Sequence, residues 1–243
     1  MKVLLTRPEG RNQSMCDALN DRHIPFIVTP LLEVVATEDI DNKDAIAAFN
    51  HAHIIIFIST NAVEYAAKAL NNHFPTSAKY YAVGKATYLA LYALGIEAME
   101  APAECQQTEG LLTLPSLQHL DGQNLTIVRG VGGRETLAQQ LTARGANVSY
   151  WQVYQRACPA LDETIALTWQ QQHVDTIVVT SGEVLSNLLT LVPKELFAWL
   201  HACHIIVPSS RVHEQAIQAG FTQVTNALAA NSNAVLIALG LSK

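Results

Sequence analysis

The most informative stretch of this sequence is Ile54-Ile55-Ile56-Phe57-Ile58-Ser59-Thr60-Asn61-Ala62-Val63. Its apolar start predicts a strand that is covered on both faces, because a strand with one face in water alternates apolar and polar side chains. The hydroxyl residues at its end predict a turn, and the helical spacing of Val63, Ala66 and Leu70 predicts a helix after it. A buried strand followed by a helix is the unit of a parallel sheet with helices on both faces. We therefore predict an α/β fold.

The strand-turn-helix pattern occurs a second time, which indicates an internal repeat. Its second copy is Val179-Thr180-Ser181-Gly182-Glu183-Val184-Leu185, in which Ser181 follows Ser59 by 122 positions (181 − 59). Arg129 follows Arg7 by the same 122 positions (129 − 7). Matches in the same order predict two copies of one α/β module. A further pair of matching turns, with an offset longer by two or three residues, is Val83-Gly84-Lys85 and Val207-Pro208-Ser209.

Two matching stretches predict where the chain crosses between domains. Thr29–Val35 and Trp151–Ala157 each follow the second strand of a β-α-β segment, so the N-terminal strands would belong to the C-terminal half. We predict a discontinuous domain of residues 1–34 and 155–243, a second domain of residues 35–154, and linker strands near 30–36 and 151–157. The other predicted strands are Lys2–Leu5, Pro25–Val28, Ile54–Ile58, Tyr80–Val83, Leu125–Val128, Val148–Trp151, Thr176–Val179, Ile205–Val207 and Val224–Thr225.

Composition and charge restrict the function. The chain has 243 residues, of which 49% are hydrophobic and 15% charged, so it has enough apolar surface to fold. Its formal net charge of −6 argues against nucleic acid as a partner, since phosphate neutralisation needs clustered cations. The first apolar run, Val3–Leu5, is too short for a signal peptide, and no run is long enough for a membrane span. We therefore predict a cytoplasmic protein that binds neither nucleic acid nor membrane.

The cysteines and histidines do not predict a metal site. The 4 cysteines are scattered without a Cys-x-x-Cys pair, which is typical of reduced thiols. The densest group is His201, Cys203 and His204, which leads into a predicted strand. Adjacent strand residues point to opposite faces, so these side chains would not converge on one metal ion.

Polar residues collect after the predicted strands. In open parallel sheets, ligands bind beyond the carboxyl ends of the strands, where the following helices begin and suit anions. These turns are rich in hydroxyls, glycines and cations and poor in carboxylates, which predicts a polyanionic small molecule as the ligand. The hydroxyls could instead be ordinary helix caps, as in the box Thr180-x-x-Glu183. The main residues are Thr6, Arg7, Arg11, Ser59, Thr60, Asn61, Gly84, Lys85, Thr87, Arg129, Arg134, Ser181, Ser209, Ser210 and Arg211.

Nucleotide-binding and hydrolase motifs are incomplete. Gly130-Val131-Gly132-Gly133 is only a fragment of the dinucleotide fingerprint, and Val83–Thr87 lacks residues that a phosphate-binding loop needs. No G-x-S-x-G elbow is present. These observations disfavour a nucleotide-dependent transferase and predict a protein that works mainly by holding its ligand in shape. A two-lobed cytoplasmic protein that binds a polyanionic small molecule without turnover is the alternative.

Short motifs run through the whole chain: Leu4-Leu5-Thr6-Arg7-Pro8, Phe57–Val63, Ala82–Thr87, Val128-Arg129-Gly130, Val153-Tyr154-Gln155-Arg156, Val179–Gly182 and Ser209-Ser210-Arg211. Because these motifs occur in this order and with this spacing, the sequence resembles the uroporphyrinogen-III synthase family. The resemblance implies two similar flavodoxin-like domains, each a parallel five-stranded sheet flanked by helices, with the N-terminal βαβ segment completing the C-terminal half.

The same resemblance implies a lyase of heme and porphyrin biosynthesis. Its substrate would be the linear tetrapyrrole hydroxymethylbilane, cyclised to uroporphyrinogen III with inversion of the terminal pyrrole ring and loss of water. No metal or organic cofactor would be needed. The protein would be a monomer, with a transient hand-over of substrate from hydroxymethylbilane synthase.

The resemblance also implies roles for individual residues. Tyr154 matches the linker tyrosine of the family and is the candidate that protonates or orients the leaving hydroxyl. Its alternative role is packing at the domain crossover. Ser209 and Ser210 are alternatives for one substrate contact. The substrate-binding residues that we predict are Arg7, Ser59, Thr60, Lys85, Thr87, Arg129, Ser181, Ser209 and Ser210.

Overall fold

The computed structural model describes residues 1–38 and 40–241, which divide into two compact units. Unit 1 consists of Met1–Glu33 and Ala157–Lys243, and unit 2 consists of Val34–Arg156. The strands are β1 (Val3–Leu5), β2 (Phe26–Val28), β3 (Glu33–Ala36), β4 (Ile54–Phe57), β5 (Lys79–Ala82), β6 (Ala98–Glu100), β7 (Asn124–Gly130), β8 (Asn147–Ala157), β9 (Thr176–Val178), β10 (His204–Val207) and β11 (Gln223–Asn226). The α-helices are α1 (Gln13–Asn20), α2 (Lys43–Asn50), α3 (Thr60–Ala69), α4 (Lys85–Ala93), α5 (Thr108–Leu111), α6 (Thr136–Ala143), α7 (Ile165–Gln171), α8 (Gly182–Leu191), α9 (Phe197–Ala202), α10 (Ser210–Gln218) and α11 (Ser232–Ala238).

The sheet of unit 1 has five parallel strands in the order β2-β1-β9-β10-β11. Counted along the chain within the unit, this order is 2-1-3-4-5, which is the order of flavodoxin-like sheets. The strand order reverses between β1 and β9, and sheets of this kind bind ligands beyond the carboxyl ends of the strands at such a point. The predicted flavodoxin-like α/β architecture is therefore confirmed for this unit.

The sheet of unit 2 has six strands in the order β3-β8-β7-β4-β5-β6. Strands β4 to β8 are parallel, and they repeat the order of unit 1 when the count starts at β7. Unit 2 is thus a circular permutation of unit 1, because the two strands that come first in unit 1 come last in unit 2. The five parallel strands agree with the predicted sheet, and β3 is an additional strand at its edge.

Both faces of the central strand β4 are buried, as its unbroken apolar run predicts. Ile55 and Phe57 pack with Trp151 in one hydrophobic cluster, which we call the tryptophan-side core. Ile54 and Ile56 pack in a second cluster, the tyrosine-side core, which includes the buried Tyr81. Successive strand residues point to opposite faces, so the two clusters lie on opposite faces of the sheet.

Three local details differ from the sequence prediction. Strand β6 is not predicted, because its three residues at a sheet edge are too few to show a strand pattern. Strand β8 joins two predicted segments, Val148–Trp151 and the linker strand near 151–157, into one continuous strand of 11 residues. The predicted capping box at Thr180 is wrong by one residue. Ser181 caps α8, because it has the extended backbone that an N-cap needs and accepts the N–H of Val184.

In residues 1–38 and 40–241, no helix is long and apolar enough to cross a membrane. Over the same residues, no group of three or more His, Cys, Asp or Glu side chains could hold a metal ion. The four cysteines are free thiols.

Candidate active site

Three serines begin helices at the carboxyl ends of strands in the same way. The φ and ψ angles are −160° and 162° at Ser59, −161° and 165° at Ser181, and −161° and 161° at Ser209. Each side-chain oxygen accepts the N–H three residues later, at 3.1, 3.2 and 3.5 Å respectively. The hydroxyls therefore cap helices, as the alternative interpretation predicts. A capping hydroxyl still has its own proton to donate, so this role does not prevent it from binding an anion.

Tyr154 is held at the carboxyl end of β4 by contacts on several sides. Its Oη lies 3.0 Å from Oγ of Ser59. Its ring stacks on Tyr65, with centroids 6.0 Å apart, and Oη of Tyr65 donates to the carbonyl of Val34 at 2.6 Å. On another side lies Gly130, where a Cβ atom would come within 2.5 Å of Cε2 of Tyr154. The ring can occupy this place only because residue 130 has no side chain.

An irregularity in the β7–β8 pairing sets the direction of Tyr154. Arg129 pairs with Gln152, but Gly130 pairs with Tyr154, so β8 carries one extra residue, Val153. A bulge of this kind turns the following side chain away from its regular face. As a result, both Val153 and Tyr154 pack with the tryptophan-side core.

Arg129 fixes the loop after β7 through hydrogen bonds to that loop. Only 3% of this residue is exposed, and Nη1 donates to Oε1 of Glu135 at 3.0 Å. Other guanidinium nitrogens donate to the carbonyls of Gly130 and Gly132. The hydrogen bond from Tyr150 holds the pKa of Glu135 below its usual range, with a further contribution from the charge of Arg129. These contacts favour a structural role for Arg129 over the predicted substrate contact.

Arg7, the repeat counterpart of Arg129, has different partners. It donates to the carbonyl of Ala230 and, at 3.2 Å, to Oγ of Ser232. No carboxylate lies within ion-pair distance of it among the described residues. Burial lowers the pKa of the guanidinium. Arg7 is therefore a partly buried cation without a counter-charge at the carboxyl end of β1, as an anion-binding residue requires.

The α4 turn is partly covered by the chain itself. Lys85 Nζ lies 3.0 Å from Oε1 of Glu100 and 4.4 Å from the ring centroid of Tyr88. The backbone N–H of Lys85 donates to Oε1 of Gln106 at 3.3 Å. Thr87 is only 4% exposed. The carboxylate of Glu100 thus balances the charge of Lys85. A ligand that binds the backbone N–H of Lys85 would have to displace the side chain of Gln106.

The remaining predicted site residues lie at the starts of α3 and α10. Thr60, the first residue of α3, is exposed. Ser209 caps α10, while Oγ of Ser210 accepts the side-chain N–H of Asn226 at 3.3 Å. A Cβ atom at Gly182, the first residue of α8, would lie 3.3 Å from Nη1 of Arg211. Arg211 therefore lies beside the start of α8, and the Ser-Ser-Arg motif is the sequence signal for it.

The predicted site residues lie at the carboxyl edges of the two sheets, in two groups. Because neighbouring strands are parallel, turns that are far apart in sequence meet at one edge. The support that Gly130 and Tyr65 give to Tyr154 is not predicted from the sequence. The group in unit 2 is Ser59, Thr60, Lys85, Thr87, Arg129 and Tyr154, and the group in unit 1 is Arg7, Ser181, Ser209 and Ser210.

These features describe a protein of two flavodoxin-like units with hydroxyls, cations and helix starts at the sheet edges. The family model described as uroporphyrinogen-III synthase HemD matches residues 13–236. The chain is 34% identical over 245 residues to the uroporphyrinogen-III synthase of Salmonella typhimurium, covering 98% of this chain and 100% of that protein. It is 33% identical to the Escherichia coli K12 enzyme of the same name, with the same coverage. The chain belongs to the uroporphyrinogen-III synthase family, whose members are cyclising lyases of tetrapyrrole biosynthesis.

Solved structures have the same fold. The uroporphyrinogen-III synthetase from Helicobacter pylori 26695 matches with a TM-score of 0.61 at 14% identity, over 99% of both chains. A mutant uroporphyrinogen III synthase from Thermus thermophilus matches with a TM-score of 0.57 at 15% identity, over 100% of both chains. At these identities the likeness supports the shared architecture, and the sequence relatives support the family.

Proposed function

We propose that this chain cyclises hydroxymethylbilane to uroporphyrinogen III, with inversion of the terminal pyrrole ring and loss of water. The observation that carries the proposal is the Ser59–Tyr154 pair, 3.0 Å apart at the carboxyl end of β4, in a chain that matches the family over its whole length. No comparison favours the alternative of a binding protein without turnover.

Substrate binding rests on the polar carboxyl edges of the sheets. Hydroxymethylbilane carries many carboxylates, which accept hydrogen bonds from serine hydroxyls, arginines and the first N–H groups of helices. Arg7 supports this role best, because it is a cation without a carboxylate partner in the part of the chain that the structure describes. Ser59, Ser181 and Ser209 each keep a hydroxyl proton to donate.

Tyr154 acts as the proton donor to the leaving hydroxyl. Oγ of Ser59 already accepts the N–H of Ala62, so its own proton can be donated to Oη of Tyr154. The phenol proton is then free to reach the hydroxymethyl oxygen. The C–O bond breaks, water leaves with that proton, and the electron-rich pyrrole supplies the electron pair. The Ser59 hydroxyl stabilises the phenolate that remains.

Ring inversion is a problem of positioning. Spontaneous closure of the linear tetrapyrrole gives the uninverted isomer, so the protein must hold the terminal ring with its substituted carbon toward the electron-poor first ring. Fixing reactive groups in one geometry removes most of the entropic cost of their meeting. Rigid helix starts on parallel strands are well suited to this task.

The isomer ratio tests the proposed reaction. Freshly generated hydroxymethylbilane is added to the full-length protein, and the products are oxidised and separated by chromatography. We expect the inverted isomer to predominate, and the uninverted one to dominate in a protein-free control. If only the uninverted isomer forms with stoichiometric protein, the proposal is wrong.

Removal of the Tyr154 hydroxyl tests its assigned role. Tyr154→Phe keeps the ring between Tyr65 and Gly130 but loses the proton, so we expect kcat to fall tenfold or more, about 1.4 kcal/mol. The matched control is Tyr92→Phe, which removes the hydroxyl of a tyrosine that is 64% exposed on α4. A kcat equal to that of the Tyr92→Phe control would reduce Tyr154 to a packing residue.

Our proposal includes a cytoplasmic monomer that takes its substrate directly from hydroxymethylbilane synthase. The support is chemical, because a substrate that closes spontaneously to the wrong isomer must be captured quickly. Sedimentation of the chain alone tests whether it is a monomer. The isomer ratio, measured during turnover at several concentrations of hydroxymethylbilane synthase, tests the hand-over. Self-association of the chain would contradict the monomer, and an isomer ratio that does not depend on the concentration of the second enzyme would contradict the hand-over.

A further inference from the structure

A small cavity opens into unit 2 beside the loop after β7. It has a volume of about 200 Å³. Ile58, Val83 and Ile127 line it, and all three belong to the tyrosine-side core or pack against it. Tyr154 packs with the tryptophan-side core, on the other face of the sheet. The floor of the cavity and the ring of Tyr154 therefore lie on opposite faces of the sheet.

The lining combines an apolar floor with cations at the mouth. The ring of Tyr150 forms part of the wall, while Arg129 and Arg134 contribute the charged groups. Arg129 is committed to the loop through Glu135 and backbone carbonyls. The Arg134 side chain is 76% exposed, and in the part of the chain that the structure describes its ion-pair partner is Glu109, at 3.6 Å. An exposed ion pair of this length contributes little, so a ligand can readily take its place.

The size of the cavity limits what it can hold. Sites for drug-sized ligands measure about 300–1,000 Å³, so 200 Å³ suits a much smaller molecule. An apolar floor with an aromatic wall favours a flat ring, and a guanidinium at the mouth favours a carboxylate. A neutral aliphatic ligand would leave Arg134 without a new partner.

We infer that this cavity binds a single small aromatic ring that carries a carboxylate, with Arg134 as the residue that recognises the carboxylate. Such a ring has two sources. It is either one ring of the linear tetrapyrrole, in which case the inference rests on the proposed function, or a free monopyrrole acid. The first source makes the cavity a subsite for positioning the substrate, and the second makes it an effector site.

Direct binding tests the inference without any need for turnover. The probe is pyrrole-2-carboxylate, added to the full-length chain and followed by protein NMR shifts, with the uncharged pyrrole-2-carboxamide as its matched analogue. We expect the carboxylate to bind about tenfold more tightly, and Arg134→Ala to remove that advantage. Lys68→Ala is the matched control, since Lys68 is an exposed cation paired with Glu64 outside the cavity.

A second variant addresses the cavity itself. Val83→Phe places a ring in the space, so we expect it to abolish binding of both probes, and circular dichroism reports whether the variant is folded. Because Arg134 is exposed, Arg134→Ala gives a decisive result even if Val83→Phe fails to fold. Equal affinities for carboxylate and carboxamide, or unchanged binding in Arg134→Ala, would overturn the inference.

Turnover in the presence of the probe distinguishes the two sources. Competitive inhibition by pyrrole-2-carboxylate, lost in Arg134→Ala, identifies the cavity as a subsite for a ring of the substrate. Binding without competition identifies a separate small-molecule site. Failure of the inference appears as absent probe binding, whereas failure of the proposed function appears as absent inverted isomer, so the two results remain distinct.

Discussion

Gly130→Ala is expected to lower kcat at least as much as loss of the Tyr154 hydroxyl does, tenfold or more and about 1.4 kcal/mol, although the substitution adds only a methyl group. The new Cβ would lie 2.5 Å from Cε2 and 2.6 Å from Cζ of Tyr154. The ring also stacks on Tyr65, so it must shift away from residue 130 and disturb that packing. That movement breaks the 3.0 Å contact between Tyr154 and Ser59 and misplaces the proposed proton donor. Steady-state kinetics on protein with a native circular dichroism spectrum measures the effect.

A double-mutant cycle separates this mechanism from general damage to the fold. In a Tyr154→Phe background the hydroxyl is already missing, so we expect Gly130→Ala to reduce kcat much less than in the wild type. Residues that act as one unit show such non-additive effects. If the two losses simply add, Gly130 acts on turnover by a route that does not include the Tyr154 hydroxyl.

Trp151→Ala is expected to destabilise unit 2 by about 3–5 kcal/mol, the usual cost of truncating a buried aromatic side chain. Trp151 is fully buried, and its ring centroid lies 4.8 Å from that of Phe49. Its Nε1 also donates to the carbonyl of Ile40 at 3.1 Å, so truncation leaves that carbonyl unsatisfied. Urea unfolding followed by circular dichroism measures the loss. Trp151→Phe, which keeps most of the volume, should cost clearly less.

A matched variant in unit 1 tests the predicted division of the chain into two domains. Trp169 is also fully buried, and its Nε1 donates to Oγ1 of Thr29 at 3.2 Å. We expect Trp169→Ala to shift the unfolding of unit 1 and Trp151→Ala that of unit 2, which gives two separable transitions. A single transition that both variants shift equally would mean that the chain unfolds as one cooperative unit.

Much of the fold was open to prediction, because its signals are local. The unbroken apolar run at Ile54–Ile58 predicts a strand buried on both faces, and β4 is buried at every position. The 122-position offset predicts two similar modules, and the two sheets do share one strand order. Prediction failed at β6, whose short edge segment has no clear apolar alternation. It also failed at the extra residue in β8, since a bulge depends on pairing with another strand.

The candidate site was predictable as a set of residues at strand ends but not as a set of interactions. Arg7 and Arg129 occupy equivalent places in the repeat and have the same chemistry. The structure gives Arg129 a carboxylate partner and leaves Arg7 with two carbonyls and a hydroxyl. Glu135 is close to Arg129 in sequence, yet sequence alone does not say that the loop between them will fold back.

Residue patterns determine the strands, the helices and the repeat, because apolar periodicity and turn chemistry act over a few neighbouring positions. Tertiary structure decides which side chains meet. Ser59 and Tyr154 are 95 positions apart, and Arg7 and Ser232 are 225 apart. Two hydroxyls meet, or a cation remains without a counter-charge, through distances and burial that arise only when parallel strands bring distant turns to one edge of a sheet.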